Sequence, residues 1–189
     1  MIWKDYSKRI PAGSHAPFSA SNYSWLNYDP DRAIEYIRNM KAKERGTILH
    51  AHAARCINLR TPLSGKDTLA KYVNDGIKMG MNTEVLLYYS PYFYGTTDAI
   101  NVDKNGKVRI SDLKTGVTPA SIKQLYIYDA LYCLDYNVNP LDVDHELRIY
   151  QNNEVFLEKP KGKDIVPIIN KIQQFDTLIR EIPEGELLL

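Results

Sequence analysis

The chain has 189 residues, 44% of them hydrophobic and 25% charged, with a formal net charge of +1. These values suit a single globular domain, residues 1–189, with a sizeable core, and they exclude a broadly basic protein, so any nucleic-acid contact must draw on positive potential local to a groove. Two cysteines, Cys56 and Cys133, are too few for a disulfide framework or a four-cysteine cluster; no apolar run reaches membrane-spanning length, and the start lacks a signal-peptide core, so a cytoplasmic protein with no membrane partner is expected.

Residues 1–28 read as irregular, broken by Pro11, Gly13 and Pro17, with Tyr23, Trp25 and Leu26 as a small apolar group able to cap a core. Asp29-Pro30 is a helix start, with Asp as N-cap and Pro at the first helical position, and Ile34, Ile37 and Met40 follow at helical spacing. A basic run, Lys41 to Arg45, precedes Gly46-Thr47, where the chain is expected to turn into a second helix over about Thr47–Leu59. That helix carries Ile48, Leu49, Ala53 and Ile57 on one side. His50 and His52, two residues apart, point roughly 200° away from each other and cannot both face one site.

A third helix is predicted over 65–79 (Leu69, Tyr72, Val73, Ile77), closed by Gly80, and a strand over Thr83–Tyr89. Next, Tyr94 to Ile100 and the stretch Ile110 to Gly116 around Asp112 read as strands separated by Asp103-Lys104-Asn105-Gly106-Lys107, where Asn-Gly between apolar runs signals a hairpin. The hairpin puts Asp98 and Asp112 on adjacent strands, close enough to share a divalent cation. Strand alternation turns Lys114 to the face of Asp112. Two carboxylates and a lysine on one face are costly to bury unless a metal or each other satisfies them, a constellation suited to metal-assisted chemistry.

Thr118-Pro119 opens an amphipathic helix to about Tyr136 (Ile122, Leu125, Ile127, Ala130, Leu131, Leu134), on which Gln124 and Tyr128 are four apart and share a face. Asp142–Tyr150 and Glu154–Glu158 are predicted strands across an Asn152-Asn153 turn, and a last helix runs over about Asp164–Ile182 before a short acidic, apolar tail. The fold class is mixed α/β with a central sheet flanked by helices.

Gly95-x-x-Asp98, Asp112-x-Lys114 and Gln124-x-x-x-Tyr128, in this order, resemble the PD-(D/E)XK nuclease superfamily, and more narrowly its RecB-like, phage-type exonuclease branch. Gly46-Thr47-Ile48-Leu49-His50 is similar to the Gly-Thr-x-x-His motif that the branch places on an upstream helix, and Ser19-Ala20-Ser21 to its serine-rich opening. The resemblance spans about residues 15–150. It departs from the pattern where some relatives carry four cysteines, so it implies no iron–sulfur cluster, and in using Gly-x-x-Asp rather than Pro-Asp, which is usual for the branch.

The resemblance implies a restriction-endonuclease-like core and a DNA nuclease of phage or bacterial recombination and repair, in the host cytoplasm if phage-encoded, with room for a protein partner in recombination. It implies Asp98 and Asp112 as ligands of Mg²⁺ or Mn²⁺, with the Leu113 backbone carbonyl and His50 completing the set; one imidazole tilts the preference towards Mn²⁺. Lys114 would help activate the attacking water or stabilise transition-state charge, and Gln124 and Tyr128 would support the site and touch substrate. Glu84 reads as a solvated strand-end residue, and His15 and His52 as bystanders. Tyr88, Tyr89, Tyr92 and Tyr94 read mostly as core, with one or two able to stack on unpaired bases. Two other readings of the same motifs are a structure-specific or nicking endonuclease, and a catalytically silent nucleic-acid-binding or inhibitory protein on the same fold.

Overall fold

A computed structural model describes residues 8–10 and 14–182; the predicted breaks at Pro11 and Gly13 and the acidic, apolar tail lie outside these residues. The chain divides into two compact units between Arg45 and Gly46.

In the first unit a 3-10 helix spans Tyr23–Asn27, and helix α1 begins at Pro30. Asp29 caps α1, its Oδ1 accepting from the Arg32 N–H at 2.8 Å. Trp25 donates its indole N–H to the Ser19 carbonyl at 3.0 Å, Phe18 lies between Trp25 and Tyr36 with centroids at 6.0 and 5.5 Å, and the Arg32 guanidinium sits over Tyr28. These aromatic contacts hold the segment. Tyr23 and Leu26, expected to cap the core, are exposed, because residues three apart in a 3-10 helix eclipse one another and here both fall on the solvent side.

Helix α1 runs unbroken over Pro30–Asn58, so the second start expected at Gly46 is absent. A helical glycine costs only about 1 kcal/mol against alanine. Gly46 also has a packing reason: a Cβ there would come 3.0 Å from Thr115 Oγ1.

The second unit is built on a five-stranded mixed sheet in the order β1-β2-β3-β4-β5, with β1 at Asn82–Ser90, β2 at Phe93–Val102, β3 at Val108–Leu113, β4 at His145–Gln151 and β5 at Glu154–Glu158. The β2–β3 turn forms as expected, with Gly106 at φ 82° and the Asp103 carboxylate accepting from the Asn105 and Lys107 N–H groups. Asn152 and Asn153, both at positive φ, close the β4–β5 hairpin. Only β3 and β4 run parallel, and helix α3 (Lys123–Asp135) occupies the connection between them. Helix α2 (Thr68–Met79) is capped by Asp67 and ended by Gly80 at φ 63°; helix α4 spans Gly162–Glu181. No helix among the described residues is long and apolar enough to cross a membrane.

Two cores form. Leu87, Ile110, Leu125, Leu147 and Ile165 pack the sheet against α3 and α4; Ala53, Ile57, Tyr72, Val73, Leu113 and Tyr150 belong to the packing with α1 and α2. Each fully buried aliphatic contributes about 1.5–3 kcal/mol. Ile48 was expected on the Ala53 side, but is exposed, since five residues carry the chain roughly 140° round the helix.

Helix α3 starts later than Thr118-Pro119 because Gln151 holds the preceding loop extended: its Nε2 donates to the Gly116 and Thr118 carbonyls and its Oε1 accepts from the Ala120 N–H. The amphipathic pattern read on α3 also fails at two positions, where Ile127 is exposed and Asp129 fully buried. Asp129 is buried because His145 of β4 meets it, Nδ1 lying 2.8 Å from Oδ2, while His145 Nε2 bonds the Pro140 carbonyl. That carbonyl belongs to a 3-10 turn, Pro140–Asp142, capped by Asn139, which delays β4 beyond its predicted start at Asp142.

Candidate active site

The β2–β3 register pairs Ala99 with Ser111, so Asp98 and Asp112 stand one residue beyond the last pair on adjacent strands. Helix α1 brings His50 to Asp98, with Nδ1 3.2 Å from Oδ2. The same oxygen accepts the Leu113 backbone N–H at 2.9 Å. Lys114 Nζ donates to Asp112 Oδ1 at 3.0 Å and to Gln124 Oε1 at 3.0 Å, and Gln124 Nε2 donates to the Tyr128 hydroxyl at 3.2 Å. Tyr128 lies over Gly95, where a Cβ would come within 2.9 Å of its ring; glycine is required there by close approach. His50, Asp98, Leu113, Asp112, Lys114, Gln124 and Tyr128 thus form one connected row, each expected residue touching the next.

The electrostatics are strained. Asp112 is 4% exposed, and its Oδ2, though 3.0 Å from Lys114 Nζ, is out of line and has no hydrogen-bond partner. Burial pushes the Asp112 carboxyl above its ordinary range, the Asp98 charge adds to this, and Lys114 pulls it part of the way back. The hydrogen bond to Asp98 raises the His50 imidazole above its usual value against the opposing effect of burial. A carboxylate only accepts, so Nδ1 of His50 carries the proton and the neutral ring keeps its lone pair on Nε2. Among the described residues no three His, Cys, Asp or Glu side chains already enclose a cation position: one carboxylate is engaged by His50 and the other by Lys114.

Two further residues feel the charges of the site. Glu84 lies across from Asp98, between the Thr83–Ala99 and Val85–Thr97 pairs, at φ 54°, a conformation that costs a non-glycine residue roughly 1–2 kcal/mol. Gly95 faces α3 while Ala99 packs with Ala53 and Leu113. Residues four apart on a regular strand share a face, so the alternation breaks here, beside Asp98. Glu84 is exposed near the start of β1, as read from the sequence, and its charge also reaches His50. The second is Tyr72, buried on α2, whose hydroxyl is driven well up by burial and by the charges of Asp98, Asp112 and Glu84; no local sequence signal marks it.

His15 and His52 are exposed, and His52 points away from His50 to within 3.7 Å of the Cys56 sulfur. Of the four tyrosines read mostly as core, only Tyr89 packs against it; Tyr88, Tyr92 and Tyr94 are exposed. No family model matches the chain, and no curated protein matches it.

Proposed function

We propose that the second unit is a metal-dependent DNA nuclease of the PD-(D/E)XK kind, hydrolysing phosphodiester bonds. The observation that carries this reading is the buried Asp112 oxygen without a hydrogen-bond partner, beside a second carboxylate and a lysine. The donors suit a hard divalent cation: Asp98, Asp112 and the Leu113 carbonyl would supply oxygens and His50 a nitrogen, a set matching Mg²⁺ or Mn²⁺. That nitrogen is Nδ1, which faces Asp98 and would exchange that bond for the ion, because Nε2 points the other way. When bound, such an ion neutralises phosphate charge and acidifies water.

The protein's own groups do the rest. Lys114, shared between Asp112 and Gln124, holds an ammonium where it can orient the attacking water or donate to charge developing on phosphorus oxygens. Gln124 fixes that ammonium, and Tyr128, seated on Gly95, fixes Gln124. His50 holds Asp98 in place through Nδ1 until an ion takes the position between them. The test is incubation of the purified protein with linear and closed circular DNA, in Mn²⁺ and in chelator. Loss of linear DNA only with Mn²⁺ supports an exonuclease, nicking of the circle an endonuclease, and no hydrolysis of either overturns the reading.

A further inference from the structure

The face of the sheet that leads to Asp98 is open. Leu86 and Tyr88 of β1 pair with Thr96 and Tyr94 of β2. Leu86 is 55%, Tyr88 48% and Tyr94 61% exposed. Gly95 between them faces α3 under Tyr128, so alternation turns Tyr94 and Thr96 to the opposite side. The Tyr88 and Tyr94 rings stack on each other, centroids 6.2 Å apart and planes 28° apart. The rings support the β1–β2 pairing through each other and still leave both residues about half exposed or more.

We propose that this pair is a stacking platform for unpaired bases, and that the substrate is a single-stranded DNA end laid along β1 and β2 with its phosphodiester delivered to Asp98. The inference rests on the nuclease reading of the site. Tyr94 precedes Asp98 by four strand residues, a span of roughly 13 Å at about 3.3 Å per residue. At the stacked rise of about 3.4 Å that is roughly four nucleotides, and fewer in a stretched strand. Platform and site can therefore hold one strand at once. Rings grip bases through their flat faces, which are occupied within a duplex and free only in an unpaired strand. Between the platform and the carboxylates, Leu86 supplies apolar surface and Thr96 a hydroxyl for the sugar–phosphate backbone, and Glu84 stands across from Asp98 where the track ends. At its end Lys114 supplies positive charge beside the carboxylates.

The experiment compares the wild-type protein with Tyr94→Phe, Tyr94→Thr and the Tyr88→Leu/Tyr94→Leu pair, cutting an unstructured oligodeoxynucleotide or a blunt duplex in Mn²⁺. The same oligonucleotide carrying 2-aminopurine at successive positions reports stacking by fluorescence quenching. The wild type should prefer the unpaired strand and quench the probe a few nucleotides from the cut. Tyr94→Phe should behave like it, and the leucine pair should raise KM for the unpaired strand roughly tenfold or more, with kcat within about twofold and no quenching. Both tyrosines are exposed, so these variants should keep the wild-type thermal midpoint; if the pair does not fold, Tyr94→Thr carries the same expectation with a smaller effect. A wild-type KM in the leucine pair overturns the platform while leaving the nuclease reading standing, as would equal preference for the blunt duplex. A surface that serves a protein partner gives that same unchanged KM. A wild-type protein that hydrolyses no DNA overturns the nuclease reading itself, and the platform with it.

Discussion

Replacing Asp112 with asparagine tests the strain at the centre of the site. The side chain is 4% exposed, one oxygen bonds Lys114 and the other has no hydrogen-bond partner. A buried polar atom left unsatisfied costs about 1–3 kcal/mol, and the Asp98 charge adds to the cost of ionising Asp112. Asparagine keeps an acceptor for Lys114 and removes the buried charge; its amide nitrogen takes the unpartnered place of Oδ2, so the gain comes from the charge alone. In chelator near neutral pH, Asp112→Asn should therefore raise unfolding free energy by about 1–2 kcal/mol, net of the weakened lysine pair, and Tm by roughly 2–8 °C for a chain of this size. The sign with pH follows from linkage: a carboxyl held above its unfolded value stabilises when protonated and loses that contribution as pH rises through its folded value. The advantage of asparagine should thus shrink as pH falls towards the ordinary carboxyl value of about 3.9. The assay is urea denaturation of both proteins in chelator across that range, with DNA cleavage in Mn²⁺ measured alongside and expected to be abolished in the variant. An asparagine variant no more stable near neutral pH, or an advantage unchanged in acid, would refute the argument.

Lys114→Ala should lose well over tenfold in turnover, each tenfold being about 1.4 kcal/mol of barrier, while still binding DNA; recovery of most of the rate by Lys114→Arg would show that charge alone suffices. His50→Ala should raise the Mn²⁺ concentration needed for half-maximal activity more than it lowers the maximal rate, and an unmoved midpoint in a metal titration would make His50 a bystander. Asp129→Ala strands a buried imidazole and should cost about 3–5 kcal/mol in urea unfolding. Burial pushes the Asp129 carboxyl up; burial also pulls His145 down, but the bond and charge of Asp129, the Pro140 carbonyl and the Asp144 charge together raise it above its usual value. Both shifts make the folded pair hold protons more tightly, so wild-type stability should fall as pH rises through the folded His145 value above 6.5, with the slope flattened in Asp129→Asn.

What was legible in the sequence is what local chemistry dictates. The Asn-Gly turn set the Asp98–Asp112 hairpin, Gly80 closed α2, and Asn152-Asn153 placed β5 at Glu154–Glu158 as expected. The Lys114–Asp112 and Gln124–Tyr128 contacts followed from strand and helix periods alone. The misses lie where distant segments decide. Gly46 reads as a break unless Thr115 is known to lie against it, and the late start of α3 depends on Gln151, far along the chain. Asp129 looks like a surface residue until β4 delivers His145. The face switch at Glu84 and Asp98 cancels the strict alternation that strand reading assumes.

The outer strand β5 gives the protein a risk of its own. It lies at the margin of the sheet, paired on one side only with β4, and carries Val155, Phe156 and Leu157 exposed in succession. Such a strand offers unpaired backbone groups and sticky side chains to any neighbour that can align with it. Glu154 and Glu158 bracket the three apolar residues, and in a self-paired antiparallel register centred on Phe156 they would be brought opposite one another. The two like charges therefore act as gatekeepers, resisting the stacking of one molecule on the next in crowded or concentrated solution.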